Sequence, residues 1–273
     1  MGQDECPEDQ IRYPIDVVEE DEFDPSDDHI SIIGTSGRKI TKMGGFGGLK
    51  LKKLCLRSHL IHSMEGLDCQ PSLDFLELYD NQISVLSQLT TLTNLTTLDI
   101  SFNVIRSMAP VSSCPLLREL YIANNKITKI EGLEGMKEMR ILDIGANRLR
   151  SMEGLRGLTK LESLWMGKNK ITSIVGLEGL ENVRKLDVQS NRLTEVGGLR
   201  GMTEKLEELY LASNGITDEG ISGTQDGLGL EFKNLSVVDL SKNKVRAEEE
   251  RRLERSDSWC YLDAVLDAVL STA

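Results

Sequence analysis

Apolar residues in this chain return on a fixed beat. In the stretch 139–193, Met139, Leu142 and Ile144 are followed by Asn147 and Leu149. The figure recurs 22 residues on as Leu161, Leu164, Met166, Asn169 and Ile171, and again as Val183, Leu186, Val188, Asn191 and Leu193. Followed outward, units start at Leu51, Leu73, Leu95, Leu117, Met139, Leu161 and Val183 without slippage, then at Leu206, one residue late, and at Leu235, 29 residues later. Around the second and third apolar positions the chain alternates apolar and polar. This predicts a short strand with two side chains turned inward and the residue between them turned outward. The asparagine that follows (Asn81, Asn103, Asn125, Asn147, Asn169, Asn191, Asn214 and Asn243, with His59 in the first unit) predicts a turn whose side-chain amides form a buried ladder. His59 falls at the N-terminal end of the array, where such a ladder has least to satisfy. The remaining apolar residues come three apart, as in Ile171, Ile174, Leu177 and Leu180. So short a return leaves little room for a full α-helix and predicts 3₁₀ or irregular turns, with Gly132, Gly154, Gly176 and Gly198 at a recurring bend.

Nine copies of L-x-x-L-x-L-x-x-N-x-L are the pattern of leucine-rich repeats. The predicted fold is an α/β solenoid: a horseshoe of 22-residue units with a parallel sheet on its concave side and 3₁₀ or irregular structure on its convex side. The repeats replace the one or two globular domains that 273 residues would otherwise suggest with one elongated domain spanning 51–245. Residues 29–50 read as a degenerate N-terminal capping repeat. Ile30 and Ile32 supply a strand, and Ile40, Met43, Phe46 and Leu49 are spaced like Ile127, Ile130, Leu133 and Met136. The glycines around Phe46 lack the Lys-Ser/Thr of a phosphate loop and read as a bend. The eighth unit carries seven extra residues after Asn214, which predict a bulge or a short convex helix. Residues 246–273 read as a helical C-terminal cap, with Leu262, Val265, Leu266, Val269 and Leu270 on one face.

Charge alters this picture at one end only. Of the net charge of −12, the segment 1–28 supplies −11, with twelve Asp or Glu and one Arg; the rest holds 31 basic and 32 acidic residues. A near-neutral body argues against a general nucleic-acid binder. The segment 1–28 itself predicts a disordered acidic tail, either simply solubilising or an arm for a basic surface. The five cysteines form no C-x-x-C and read as reduced thiols. No signal peptide or run of about 18 apolar residues is present, so a soluble intracellular protein is expected. Met1-Gly2-Gln3-Asp4-Glu5-Cys6 falls short of an acylation signal.

Candidate chemistry sits between the two strand leucines. From the second unit on, that position holds Glu77, Asp99, Tyr121, Asp143, Trp165, Asp187, Tyr210 and Asp239, every one acidic or aromatic. The predicted row runs about 35–40 Å down the middle of the concave face. Solvated acids with aromatics stacked on one another are the plain reading. The functional reading is a protein-binding surface, with Tyr121, Trp165 and Tyr210 as anchors and the carboxylates pairing with a partner's Lys or Arg. Glu119 and Glu208 flank the row. No catalytic residues are expected: the row is an open trough, and no Ser-His-Asp or nucleophilic Cys arrangement is recognisable. His29, His59 and His62 show no metal spacing, and no cofactor or small-molecule substrate is implied. A second row, Lys126, Arg148, Lys170, Arg192, then Gly215, then Lys244, follows the asparagines. It reads as a solvated rim, with docking of the acidic tail or of an RNA backbone as alternatives.

The repeats also match at positions that the general pattern leaves free. Leu54-Cys-Leu-Arg57, Leu78-Tyr-Asp-Asn-Gln-Ile83, Leu98-Asp-Ile-Ser-Phe-Asn103, Gly167-Lys-Asn-Lys-Ile-Thr172, Gln189-Ser-Asn-Arg-Leu-Thr194 and Glu208-Leu-Tyr-Leu211 with Asn214-Gly-Ile216 resemble, in order, the leucine-rich regulatory subunits of protein phosphatase 1 (the Sds-twenty-two type) over roughly 29–245. The resemblance implies a noncatalytic regulatory subunit, nuclear and cytoplasmic, whose concave face grips the phosphatase catalytic subunit. It would be a monomer before complex formation, without membrane attachment. Carried over by position, Asp99, Tyr121, Asp143, Trp165 and Asp239 match the family's contact residues. Beyond the unit at Leu235 the family's further repeats give way here to the charged stretch and the 257–271 helical pattern. A scaffold of ciliary or cytoskeletal assembly and a component of an RNA–protein particle are the alternatives.

Overall fold

The computed structural model describes residues 23–246 other than 25, 69 and 223–225. Ten strands follow in chain order: β1 (His29–Ile33), β2 (Lys53–Arg57), β3 (Phe75–Glu77), β4 (Thr97–Asp99), β5 (Glu119–Tyr121), β6 (Ile141–Asp143), β7 (Ser163–Trp165), β8 (Lys185–Asp187), β9 (Glu208–Tyr210) and β10 (Val237–Asp239). They form one parallel sheet whose spatial order is their sequence order. Each central leucine or valine faces its counterpart in the next strand, Leu142 opposite Leu164 and Leu164 opposite Leu186. These side chains, with the apolar residues flanking them, line a single core along the solenoid and are almost wholly buried.

The asparagines tie the units together. In each of the eight, Oδ1 accepts the N–H of the residue 20 to 27 positions earlier, as Asn147 does from Ile127 at 2.9 Å. The Nδ2 group donates back to the preceding unit and to its own turn, Asn147 to the carbonyls of Ile122 (3.0 Å) and Ile144 (3.1 Å). A buried polar group must be satisfied, and here the amide spends both of its faces on backbone groups that short turns leave open. His59 is not idle at the end of this ladder: Nδ1 accepts from Ile40 N–H (3.2 Å) and Nε2 donates to Ile32 O (3.0 Å). It reproduces the asparagine's two roles, which corrects the expectation that this rung has little to satisfy.

On the convex side the chain returns through 3₁₀ turns at Leu89–Thr91, Ala109–Ser113 and Arg200–Met202, and otherwise through irregular bends. Gly132 sits there at φ 77, where a Cβ would lie 2.4 Å from the Ala109 carbonyl oxygen, so only glycine fits. The long eighth unit adds a one-turn helix, α1 (Asp218–Ser222), whose Thr217 hydroxyl accepts the Gly220 N–H (3.2 Å). At the N-terminal end β1 pairs with β2 over five residues, and Ile40, Met43, Phe46 and Leu49 are buried. The packed body starts ahead of residue 29: Phe23 rests on Phe46 (ring centroids 6.1 Å) and Asp28 pairs with Lys52 (2.8 Å). Residues 1–22 of the expected tail, and the expected cap from 247 on, lie outside the described residues.

Candidate functional site

Because side chains alternate along a strand, the residue on either side of each buried central leucine points to the concave face. Sheet register then assembles the eight sequence-predicted residues into one column. Asp99 pairs with Tyr121, Tyr121 with Asp143, Asp143 with Trp165, Trp165 with Asp187, Asp187 with Tyr210, and Tyr210 with Asp239; Glu77 lies opposite Asp99 at the N-terminal end. From Asp99 onward acids and aromatics strictly alternate. Successive aromatics are therefore two strands, about 10 Å, apart. Among the described residues no ring contact joins Tyr121, Trp165 and Tyr210, so the aromatics do not stack on one another.

All eight side chains are half-buried. The acids are held rather than free. Asp99, Asp143, Asp187 and Asp239 each accept, through Oδ1, the backbone N–H two residues on, at 2.8–3.0 Å. Gln189 also donates its side-chain amide to Asp187 Oδ2 (3.0 Å). Ser101 adds a side-chain hydrogen bond to Asp99, and the second oxygens of Asp143 and Asp239 keep open acceptor capacity. Burial pushes the carboxyls of Asp99, Asp143 and Asp187 above the usual range, against the pull of those backbone bonds. At Asp143 the charges of Asp187 and Asp99 push in the same direction. Burial raises the Tyr121 and Tyr210 phenols, and neighbouring carboxylates add to it. Tyr210 donates to Glu208 (2.9 Å), which Lys185 grips at 2.7 Å, fixing the end of that ring. At the N-terminal end Glu77 meets Arg57 at 2.8 Å and accepts the Cys55 thiol (3.3 Å).

Two features of the face lie beyond the predicted column. Two residues beyond each of the first six members of the column, the series Tyr79, Ser101, Ala123, Gly145, Gly167, Gln189 loses its side chain in the middle. Gly145 and Gly167 floor a depression of about 290 Å³ flanked by Trp165, Asp143, Asp187 and Lys168. A methyl group at Gly167 would come within 3.1 Å of Gln189 Cγ and 3.2 Å of the Asp187 oxygens. Toward the N-terminal end the surface rises instead. Arg57 lies over the Tyr79 ring (4.5 Å), and Tyr79 meets Phe102 (4.8 Å), which is 45% exposed. Phe102 takes a turn position at φ 55 that the other units fill with Ser58, Asp80, Asn124, Ala146, Lys168, Ser190, Ser213 and Lys242, all left-handed. A lone bulky apolar residue in that series was the signal for the ledge. Among the described residues no group of three His, Cys, Asp or Glu is placed to hold a metal, and no helix is long and apolar enough to cross a membrane.

Models of paired leucine-rich repeats match residues 71–113, 115–157 and 159–201, and a single-repeat model matches 204–223. The chain is a leucine-rich repeat protein. Among curated proteins, this leucine-rich repeat protein is 44% identical over 59 residues to protein phosphatase 1 regulatory subunit SDS22 of Saccharomyces cerevisiae. That alignment spans 20% of this chain and 18% of the yeast protein. Among solved structures, internalin C2 of Listeria monocytogenes is 28% identical, with a TM-score of 0.58 over 62% of this chain and 74% of that one. The ectodomain of the plant receptor kinase GASSHO1/SCHENGEN3 of Arabidopsis thaliana, 18% identical, reaches 0.68 over 88% of this chain and 30% of its own, a likeness of fold alone.

Proposed function

We propose that this leucine-rich repeat protein is a noncatalytic regulatory subunit that binds the catalytic subunit of protein phosphatase 1 through the concave row Glu77, Asp99, Tyr121, Asp143, Trp165, Asp187, Tyr210 and Asp239. The observation that carries the reading is the alternation of half-buried acid and aromatic side chains in one register-locked column, joined to the partial match with yeast SDS22. Carboxylates already raised by desolvation lose still more water when covered, so the face accepts only a partner that brings cations to them. The aromatics between them supply apolar contact area at little entropic cost. The depression beside Trp165 admits one long basic side chain, with Asp143 on one side and Asp187 on the other. Nothing in this scheme needs a nucleophile or a metal, in keeping with a binding role in the nucleus and cytoplasm.

Capture of the phosphatase catalytic subunit by wild type and by the double variant Trp165→Ala/Asp143→Ala tests the reading. Removal of two packed anchors should cost roughly 2–5 kcal/mol of binding, with the variant's melting and circular dichroism still those of a folded solenoid. Absence of binding by the wild type would reject the phosphatase and leave a leucine-rich repeat scaffold for another basic protein.

A further inference from the structure

The two rims of the sheet treat charge in opposite ways. Along the rim where strands begin, charges pair from one unit to the next: Lys160 with Glu138 (2.7 Å), Arg140 with Glu162, Arg184 with Glu207 (2.8 Å) and Lys233 with Glu204 (2.7 Å). Along the rim where strands end, Lys126, Arg148, Lys170 and Arg192 stack in consecutive units. The N–H of each is bonded to the carbonyl of the unit before (Ile105, Ile127, Leu149 and Ile171, all at 2.8 Å); Gly215 takes the next rung and Lys244 the one after it. Parallel strands hold such residues about 4.8 Å apart per step, so like charges are fixed side by side. Among the described residues none of the five makes an ion pair, whereas most charges on the opposite rim do.

We infer that this basic rim is the docking surface for the chain's own acidic N-terminal segment, residues 1–22. That segment carries nine Asp or Glu against one Arg. It joins the body at Phe23, which is seated on Phe46 at the N-terminal end of the solenoid. From β1, the first cation of the row lies four strands away and Arg192 seven, about 19 and 34 Å; 22 residues reach up to roughly 70 Å. The concave column is itself acidic, and most charges on the opposite rim are already paired with one another. Docked along the rim, the segment removes a row of cations from beside the concave face. It thereby leaves that face uniformly attractive to a basic partner.

Zero-length carbodiimide cross-linking of the full chain, read by peptide mass spectrometry, tests this. Acids of residues 1–22 should couple to Lys126, Lys170 and Lys244 by about fivefold or more over exposed lysines elsewhere, such as Lys53, Lys129 and Lys137, reflecting a high local concentration. The preference should vanish near 0.5 M salt, where screening shortens to roughly 4–5 Å. It should also fall in the Arg148→Glu/Arg192→Glu variant, in which the three lysines remain as reporters. Even labelling of all exposed lysines would overturn the inference. So would cross-links that appear between heavy- and light-isotope chains in a mixed sample, since the occupant would then be a second copy.

Discussion

Replacing Asp143 by Asn separates stability from binding at a single side chain. The carboxyl sits half-buried between Asp99 and Asp187, and both burial and those charges raise it above the usual range. A carboxyl raised in the folded state binds more protons folded than unfolded within the window between the two values. The charged form is therefore a burden on the fold that disappears as pH falls through the raised value. Asp143→Asn keeps an oxygen for the Gly145 N–H and removes the charge. The melting temperature at neutral pH should rise, by an amount worth at most about 1 kcal/mol, while affinity for a basic partner falls. A calorimetric melt and a binding isotherm on the same sample check both halves; a variant less stable than wild type would contradict the account. The identity of this side chain was legible in the sequence because strand alternation alone places it. Its environment was not, because the glycines at 145 and 167 and the Phe102 ledge depend on side-chain sizes compared across neighbouring units, which no single unit displays.

Among the elements, the β1–β2 unit is the one with a titratable rung. His59 must be neutral to accept from Ile40 while donating to Ile32, and burial, with Lys39 and Arg38 nearby, holds its pKa below the ordinary value of 6.5 despite the favourable bond to Ile32. For a group depressed in this way the unfolded chain binds the proton more readily. The unit's stability is full above about pH 6.5 and is lost as pH falls from there toward the folded-state value. Amide-exchange protection at Ile40 and in β1 should drop on going from about pH 7.5 to 5.5, with β6 and β7 unaffected. In His59→Asn, which restores the rung that eight other units use, the drop should disappear; an equal drop in both proteins would rule out His59. The periodicity marked His59 only as an exception to the asparagine pattern. That an imidazole spans the same two backbone partners depends on how β1 and the 38–40 segment close over it, which the chain's phase does not reveal. The strands of the regular units, by contrast, followed from phase alone, because each needs only its own leucines and its neighbours' to be buried.

For the whole molecule, every strand is bonded only to its neighbours in sequence, from β1 to β10, and added length in the eighth unit goes to the convex side as α1 without shifting Asp239 from its place opposite Tyr210. Among the described residues, no strand pairing joins the first strand to the last. Tension applied between them is carried by each unit in series, and a three-residue strand such as β6 peels from its neighbour bond by bond. Stretched in an optical trap, the molecule should lengthen in steps of one unit or a few, each 22-residue turn releasing roughly 70 Å of chain. A single all-or-none rupture would mean that the units are coupled beyond their nearest neighbours. A partner seated along the concave column bridges all of the strands from β3 to β10 at once. Besides being held by the solenoid, such a partner would act on it as a splint, turning a spring of weak links into one rigid body.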